Sequence, residues 1–187
     1  MKQIISIITI SIFISSAKPN NNLDLWIEMQ QKFTINYARD FSNQSTEEWL
    51  KYFAPNKKIN VYQYGKDISR ENNKGKTIKI YSGSILSSLI RGRLPAKLMA
   101  RTIFKRLKKQ DYKKSNIELL GILKSNDKLM VYVRFDRINN KNKIYQSARS
   151  LYTLVKINQD WYIIEMSTYD DIEEVNNLVN YDAMWKF

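Results

Sequence analysis

The sequence predicts an α+β domain, because helical periodicity dominates its first half while two-residue alternation and short polar turns dominate its second. From Leu23 to Phe41, the residues Trp26, Met29, Phe33, Tyr37 and Phe41 recur at spacings of three and four, with Leu25 and Ile27 flanking, which predicts a long amphipathic first helix. Asn43 and Gln44 interrupt it. Ser45-Thr46-Glu47-Glu48 then supplies a Ser-x-x-Glu capping box for a short second helix through Trp49, Leu50 and Phe53, stopped by Pro55. Ile59, Val61, Tyr62 and Tyr64 make one β-prone stretch and Thr77 to Tyr81 a second, and the polar linker from Gly65 to Lys76 joins them as a hairpin with a long loop.

Helical spacing returns between Ser84 and Gln110, broken near Gly92 and Pro95, with Met99, Ile103 and Leu107 as its apolar stripe. After Ser115 four strands follow: Ile117 to Leu123, the alternating Leu129-Val131-Val133-Phe135, Tyr145 to Ile157, and Trp161 to Thr168. The turns between them are Ser125-Asn126-Asp127, the polar loop Asn139 to Lys143, and Asn158-Gln159-Asp160. Short turns between successive strands predict an antiparallel meander. Asp170 and Asp171 precede a final short helix carrying Ile172, Val175 and Leu178, with Glu173 and Glu174 favouring its N-terminal end.

Composition removes most catalytic chemistry. The 187 residues include no histidine and no cysteine, so disulfides, thiol nucleophiles, Cys/His zinc sites and imidazole acid–base chemistry are all excluded. No Gly-rich phosphate loop or oxygen-ligand calcium loop is visible, and neither a cofactor nor a metal is expected. Ser125-Asn126-Asp127-Lys128 matches a Ser-x-x-Lys pattern but reads as a turn rather than the start of a buried helix. With 43% hydrophobic residues, 12 Tyr, 7 Phe and 4 Trp, the chain is expected to fold, and its length suits one domain. Lys+Arg outnumber Asp+Glu by 31 to 18, a formal charge of +13 that favours anionic partners.

The N-terminus reads as an export signal. Lys2 precedes an apolar run from Ile4 to Ile14, and Ser15-Ser16-Ala17 places small residues before a cut after Ala17. The run is shorter than the roughly 20 residues needed to span a bilayer. The expected division is therefore a signal peptide over 1–17 and one domain over 18–187, periplasmic or secreted.

Helix, helix, hairpin, helix and four antiparallel strands is similar to the order found in the nuclear transport factor 2-like superfamily, a cone-shaped fold also called cystatin-like. A first helix ending near Phe41 and a second closing on Tyr52-Phe53-Ala54-Pro55 resembles that family's opening. Ser150 to Lys156, the turn Asn158-Gln159-Asp160 and then Trp161-Tyr162-Ile163-Ile164 resembles its ending. The resemblance implies a curved antiparallel sheet wrapped around N-terminal helices, with a pocket at the wide end. It implies no activity, since the family includes dehydratases, isomerases, cyclases, ligand binders, assembly components and immunity proteins.

In isomerases of that family a first-helix tyrosine and a buried acid polarise a carbonyl while a carboxylate on the first strand moves a proton. Tyr37 matches the tyrosine, although it also continues the core stripe. The strand Ile59 to Tyr64 carries no Asp or Glu, and the histidine on which dehydratases rely is missing. Both departures weigh against catalysis.

The pocket candidates are Tyr37, Tyr132, Arg134, Tyr152 and Glu165. Glu165 lies between Ile164 and Met166, where burial would raise its pKa, and two-residue alternation aligns it with Trp161 and Ile163. Asp40 and Asp136 are lesser carboxylate candidates, and Arg134 offers Asp136 an ordinary ion pair. Lys97, Arg101, Lys105, Lys108 and Lys109 form a basic helix surface within a stretch, 91–114, that holds ten cations and one acid. Only Phe104 and Tyr112 interleave there, too few for base stacking, so no nucleic acid partner is expected. The expected function is an exported non-enzymatic domain that binds a small-molecule ligand or a protein partner. A homodimer through the sheet and contact with an anionic membrane surface extend that reading, while a Tyr/carboxylate lyase or isomerase and an immunity-type toxin binder are the alternatives.

Overall fold

The computed structural model describes residues 21–64 and 76–170. The expected signal segment, most of the polar linker and the final helix lie outside the described residues. The first helix begins as α1 (Asn21–Met29), passes through a π-helical stretch (Gln30–Tyr37), and ends as α2 (Ala38–Ser42). The apolar spacing accounts for the change of pitch. Met29, Phe33, Tyr37 and Phe41 are each four apart and all buried. Four residues overshoot an α-helical turn by about 40°, so three such steps would drift by about 120°. The wider π-helical turn, closed by bonds such as Ala38 N–H to the Phe33 carbonyl, takes up the drift and holds all four side chains inward.

Ser45 caps α3 (Thr46–Leu50) by accepting a hydrogen bond from Glu48 N at 3.4 Å. This helix is shorter than the sequence predicts. Its continuation is pulled into a bridge between Phe53 and Ile163, with the Tyr52 carbonyl accepting from Ile163 N and Ala54 N donating back to the Ile163 carbonyl. Strands β1 (Lys58–Tyr64) and β2 (Lys76–Tyr81) pair antiparallel as expected. Ser84 caps α4 (Ile85–Ile90), and Gly92, at φ +59°, follows that helix in the left-handed region. A two-residue strand, β3 (Leu94–Pro95), leads into α5 (Ala96–Lys109), which buries Met99, Ala100, Phe104 and Leu107.

The meander follows as β4 (Tyr112–Ser125), β5 (Lys128–Asn139), β6 (Ile144–Ile157) and β7 (Asp160–Asp170), each antiparallel to the next. Asn158 and Gln159, at φ 49° and 73°, form the β6–β7 turn with the two positive φ values of a tight hairpin. One seven-stranded sheet results, in the order β3-β2-β1-β7-β6-β5-β4. Its β2–β3 and β1–β7 pairings are parallel, and the latter joins the β1–β2 hairpin to the meander in one surface. The helices pack on one face of this sheet around a core that includes Met29, Phe33, Trp49, Ile122, Leu129, Leu154 and Ile163. Each fully buried side chain of that size contributes about 1.5–3 kcal/mol.

Candidate functional site

One end of this core is left unfilled. A cavity of about 450 Å³ lies between α2, α3 and α5 on one side and the inner faces of β4–β7 on the other. Its apolar wall includes Phe41, Trp49, Ile103, Leu107, Ile117, Phe135 and Met166, and its polar wall includes Ser115, Arg137, Gln146, Ser150, Thr168 and two tyrosines. Lys76 and Arg106, both exposed, stand at its margin. Among the described residues no Asp or Glu lines it.

Tyr37 and Tyr152 lie side by side in the wall. The Tyr152 hydroxyl donates to that of Tyr37 at 3.4 Å, and Phe33 stacks on Tyr152 with ring centroids 5.1 Å apart. Burial pushes the Tyr37 hydroxyl well above the ordinary tyrosine range, reinforced by Tyr152, and burial also raises Tyr152. Both are therefore neutral hydroxyls at physiological pH. The indole N–H of Trp49 lies near the Tyr37 hydroxyl, where it favours the phenolate slightly, but falls short of hydrogen-bond geometry.

Arg137 is placed by the ordinary alternation of β5, one step beyond Phe135, and the ladder becomes irregular just after it. Its partner on β6 is Gln146, yet the next pair is Ile138 with Ile144, so Tyr145 is an extra residue in the ladder. A second irregularity falls between Tyr112 and Lys114 on β4. Bulges of this kind re-aim side chains at sheet rims. The guanidinium lies within electrostatic range of Tyr37, Tyr112, Tyr145 and Tyr152. Nη1 of Arg137 donates to Gln146 Oε1 at 2.7 Å, and the Phe135 ring centroid lies 5.2 Å from the guanidinium carbon. Nε of Arg137 is buried and donates to no protein acceptor. Burial lowers the Arg137 pKa, opposed by these tyrosines, but a guanidinium stays charged at neutral pH.

Of the five sequence candidates, the fold brings Tyr37 and Tyr152 together and places Tyr132, Arg134 and Glu165 elsewhere. Tyr132 and Arg134 alternate with the inward-facing Val131, Val133 and Phe135, which puts them on the opposite face. Arg134 pairs there with Asp136 at 3.5 Å, and Ser147 donates to the same carboxylate. Glu165 is turned away by a bulge. Thr153 pairs with Glu165 and Leu154 with Ile163, so Ile164 is an extra residue, and Ile163 and Met166 both enter the core. The alternation that aligned Glu165 with Trp161 and Ile163 breaks at that point. Asp40, 8% exposed, is held by the Tyr52 hydroxyl at 2.8 Å and Arg39 Nε at 2.8 Å, away from the cavity wall. The Arg39 hydrogen bond holds its carboxyl below the usual range.

Sequence reading missed Arg137, Gln146, Ser150 and Thr168. A signal for Arg137 existed, because it continues the alternation Leu129-Val131-Val133-Phe135 by one more step. The basic helix divides by face. Arg106 turns to the cavity, while Arg101, Lys105 and Lys108 border a shallow hollow of about 290 Å³ with Gln44, Thr46 and Phe104. Lys97 is paired with Glu47 at 2.5 Å, and Lys109 is exposed at the end of the helix. Among the described residues no cluster of three metal-ligating side chains occurs, and no helix is long and apolar enough to cross a membrane.

No protein-family model matches the sequence, and no curated protein matches it. Solved structures do match the fold. A domain of unknown function with a cystatin-like fold from Nostoc punctiforme aligns with a TM-score of 0.54 at 10% identity, covering 81% of each chain. A nuclear transport factor 2-like protein of unknown function from Shewanella oneidensis aligns at 0.52 and 13% identity, over 79% of this chain and 98% of its own. A candidate beta subunit of an aromatic-ring-hydroxylating dioxygenase from Novosphingobium aromaticivorans aligns at 0.51 and 12% identity, over 80% of this chain and 92% of its own. Element order, the seven-stranded curved sheet and these alignments together give the chain the nuclear transport factor 2-like, cystatin-like cone fold.

Proposed function

We propose that this chain is an exported, non-enzymatic binding domain whose cavity holds a small, partly apolar molecule. The observation that carries this reading is a cavity of about 450 Å³, walled by aromatic and aliphatic side chains with a few convergent polar groups. Sites for small molecules have volumes of roughly 300–1,000 Å³ and that same mixture of walls. Proton transfer finds less support. The cavity offers tyrosines whose pKa values are raised and, among the described residues, no carboxylate, while Asp40 and Glu165 lie outside it.

Native mass spectrometry of the protein purified from an expressing bacterium tests the reading. The native mass is expected to exceed the denatured mass by a small-molecule adduct, and Thr168→Phe, which projects a ring into the cavity, is expected to lose it. An adduct that survives Thr168→Phe would place binding elsewhere.

A second reading, contact with a partner protein, rests on a different surface. Leu86, Leu89 and Ile90 on α4 are 68%, 64% and 75% exposed, beside the cationic Arg91 and Arg93. Contiguous exposed apolar side chains mark interaction surfaces. Leu86→Asp with Leu89→Asp is expected to abolish any self-association seen by light scattering while leaving the cavity adduct in place.

A further inference from the structure

The charge of the cavity defines its ligand more narrowly than its volume does. We propose that the cavity is a site for an amphipathic organic acid, whose carboxylate docks on the guanidinium of Arg137 while its apolar body lies against Phe41, Trp49 and Phe135. This rests on reading the cavity as a ligand site and names the class of ligand.

Three independent observations converge. The first is an uncompensated cation. Arg137 is partly buried against an aromatic ring and an amide, within electrostatic range of four tyrosines, and among the described residues no carboxylate lines the cavity with it. A charge removed from water requires a partner, and its absence from the described wall leaves that role to a bound anion. The second is unused donor capacity. Arg137 lines the cavity, and among the described residues its guanidinium gives a hydrogen bond to Gln146 alone. A guanidinium fork matches the two oxygens of a carboxylate. The neutral hydroxyl of Tyr37, which accepts from Tyr152 and keeps its own proton to give, adds a donor in the same wall.

The third is the distribution of charge from mouth to interior. Lys76 and Arg106 are exposed at the margin and Arg137 is within, so an approaching anion meets positive charge along its path. A cationic ligand would meet three like charges and no acid among the described residues. A polyhydroxylated ligand would leave the apolar wall uncovered, because Phe41, Phe135, Ile117 and Met166 offer nothing to hydroxyls. An acid group joined to an aromatic or aliphatic body uses both parts of the wall.

Matched pairs of probes separate charge from shape. Calorimetric titration of the full chain with 2-naphthoate and with 2-naphthamide, and with octanoate and octanamide, compares an anion with a neutral molecule of nearly the same size. Each acid is expected to bind about ten-fold or more tightly than its amide, the range of hydrogen bonds to charged groups. Arg137→Gln is expected to bring acid and amide to equal affinity, while Arg137→Lys restores part of the preference. Equal binding of acid and amide to the unaltered protein would overturn the anion assignment and leave the ligand-site reading standing. Failure of all four probes to bind the folded protein would overturn both. If Arg137→Gln does not fold, the acid–amide comparison on the unaltered chain decides alone, and the salt dependence of acid binding to Arg106→Gln supplies the check on the mouth.

Discussion

The same three strands build two different interiors. At one end, Leu129, Val131 and Val133 of β5, Leu154 of β6 and Ile163 of β7 are fully excluded from solvent and packed against Met29 and Phe33. Further along the same inner faces come Phe135 and Arg137, then Ser150 and Gln146, then Thr168, and here the helices no longer fill the space. Backbone pairing continues through both ends. What changes is the chemistry of the inward side chains, from aliphatic to polar and cationic. The packed end supports the fold, and the open end accepts groups that contribute little to stability, which is the pattern expected where a site is placed on a rigid scaffold.

Substitutions at the two ends sharpen that contrast. Leu154→Ala or Ile163→Ala is expected to lower unfolding free energy by about 2–5 kcal/mol in urea titrations, because a cavity opens in close-packed surroundings. Ser150→Ala, on the same strand as Leu154, removes its hydroxyl contact with Thr168 at 3.0 Å and is expected to cost about 1 kcal/mol or less. An equal cost at both positions would erase the distinction.

Between these extremes stands Asp40, whose replacement by Ala leaves the Tyr52 hydroxyl unpaired and is expected to cost about 1–3 kcal/mol. Its native pKa is depressed, first through the Arg39 hydrogen bond. Its contribution is therefore present above the unfolded value of roughly 3.9 and is lost as pH falls through the lower native value. Urea midpoints measured from pH 6 down to pH 3 are expected to fall less steeply in Asp40→Asn than in the unaltered protein. The smallest effect belongs to α4, where Leu86→Asp is expected to change stability by no more than about 0.5 kcal/mol, since Leu86 is 68% exposed.

Much of the scaffold was legible in the sequence because local signals and tertiary packing agree there. The Ser45 N-cap, the Asn158-Gln159 turn and the apolar stripe of α5 each carry a local cause that the fold keeps. Tyr37 and Tyr152 were named as pocket residues, and both line the cavity. Glu165 was misplaced for a specific reason: a period of two cannot foresee the extra residue at Ile164, and one bulge reverses every later side chain. The parallel pairing of β1 with β7 is equally silent in sequence, because it joins elements about a hundred residues apart with no turn between them. Arg137 was overlooked because a charged residue ending an alternating strand reads as its solvated end. The four tyrosines within its electrostatic range, which give it a cavity environment, come from three other elements.

The central claim is that the open end serves binding rather than stability, and thermal melts of the unaltered protein and Arg137→Met, each with and without 2-naphthoate, test it most directly. Removing an uncompensated cation is expected to leave the melting temperature without ligand unchanged or higher, while the rise caused by naphthoate in the unaltered protein disappears. A lower melting temperature for Arg137→Met, with the naphthoate-induced rise intact, would contradict the account and make Arg137 part of the scaffold.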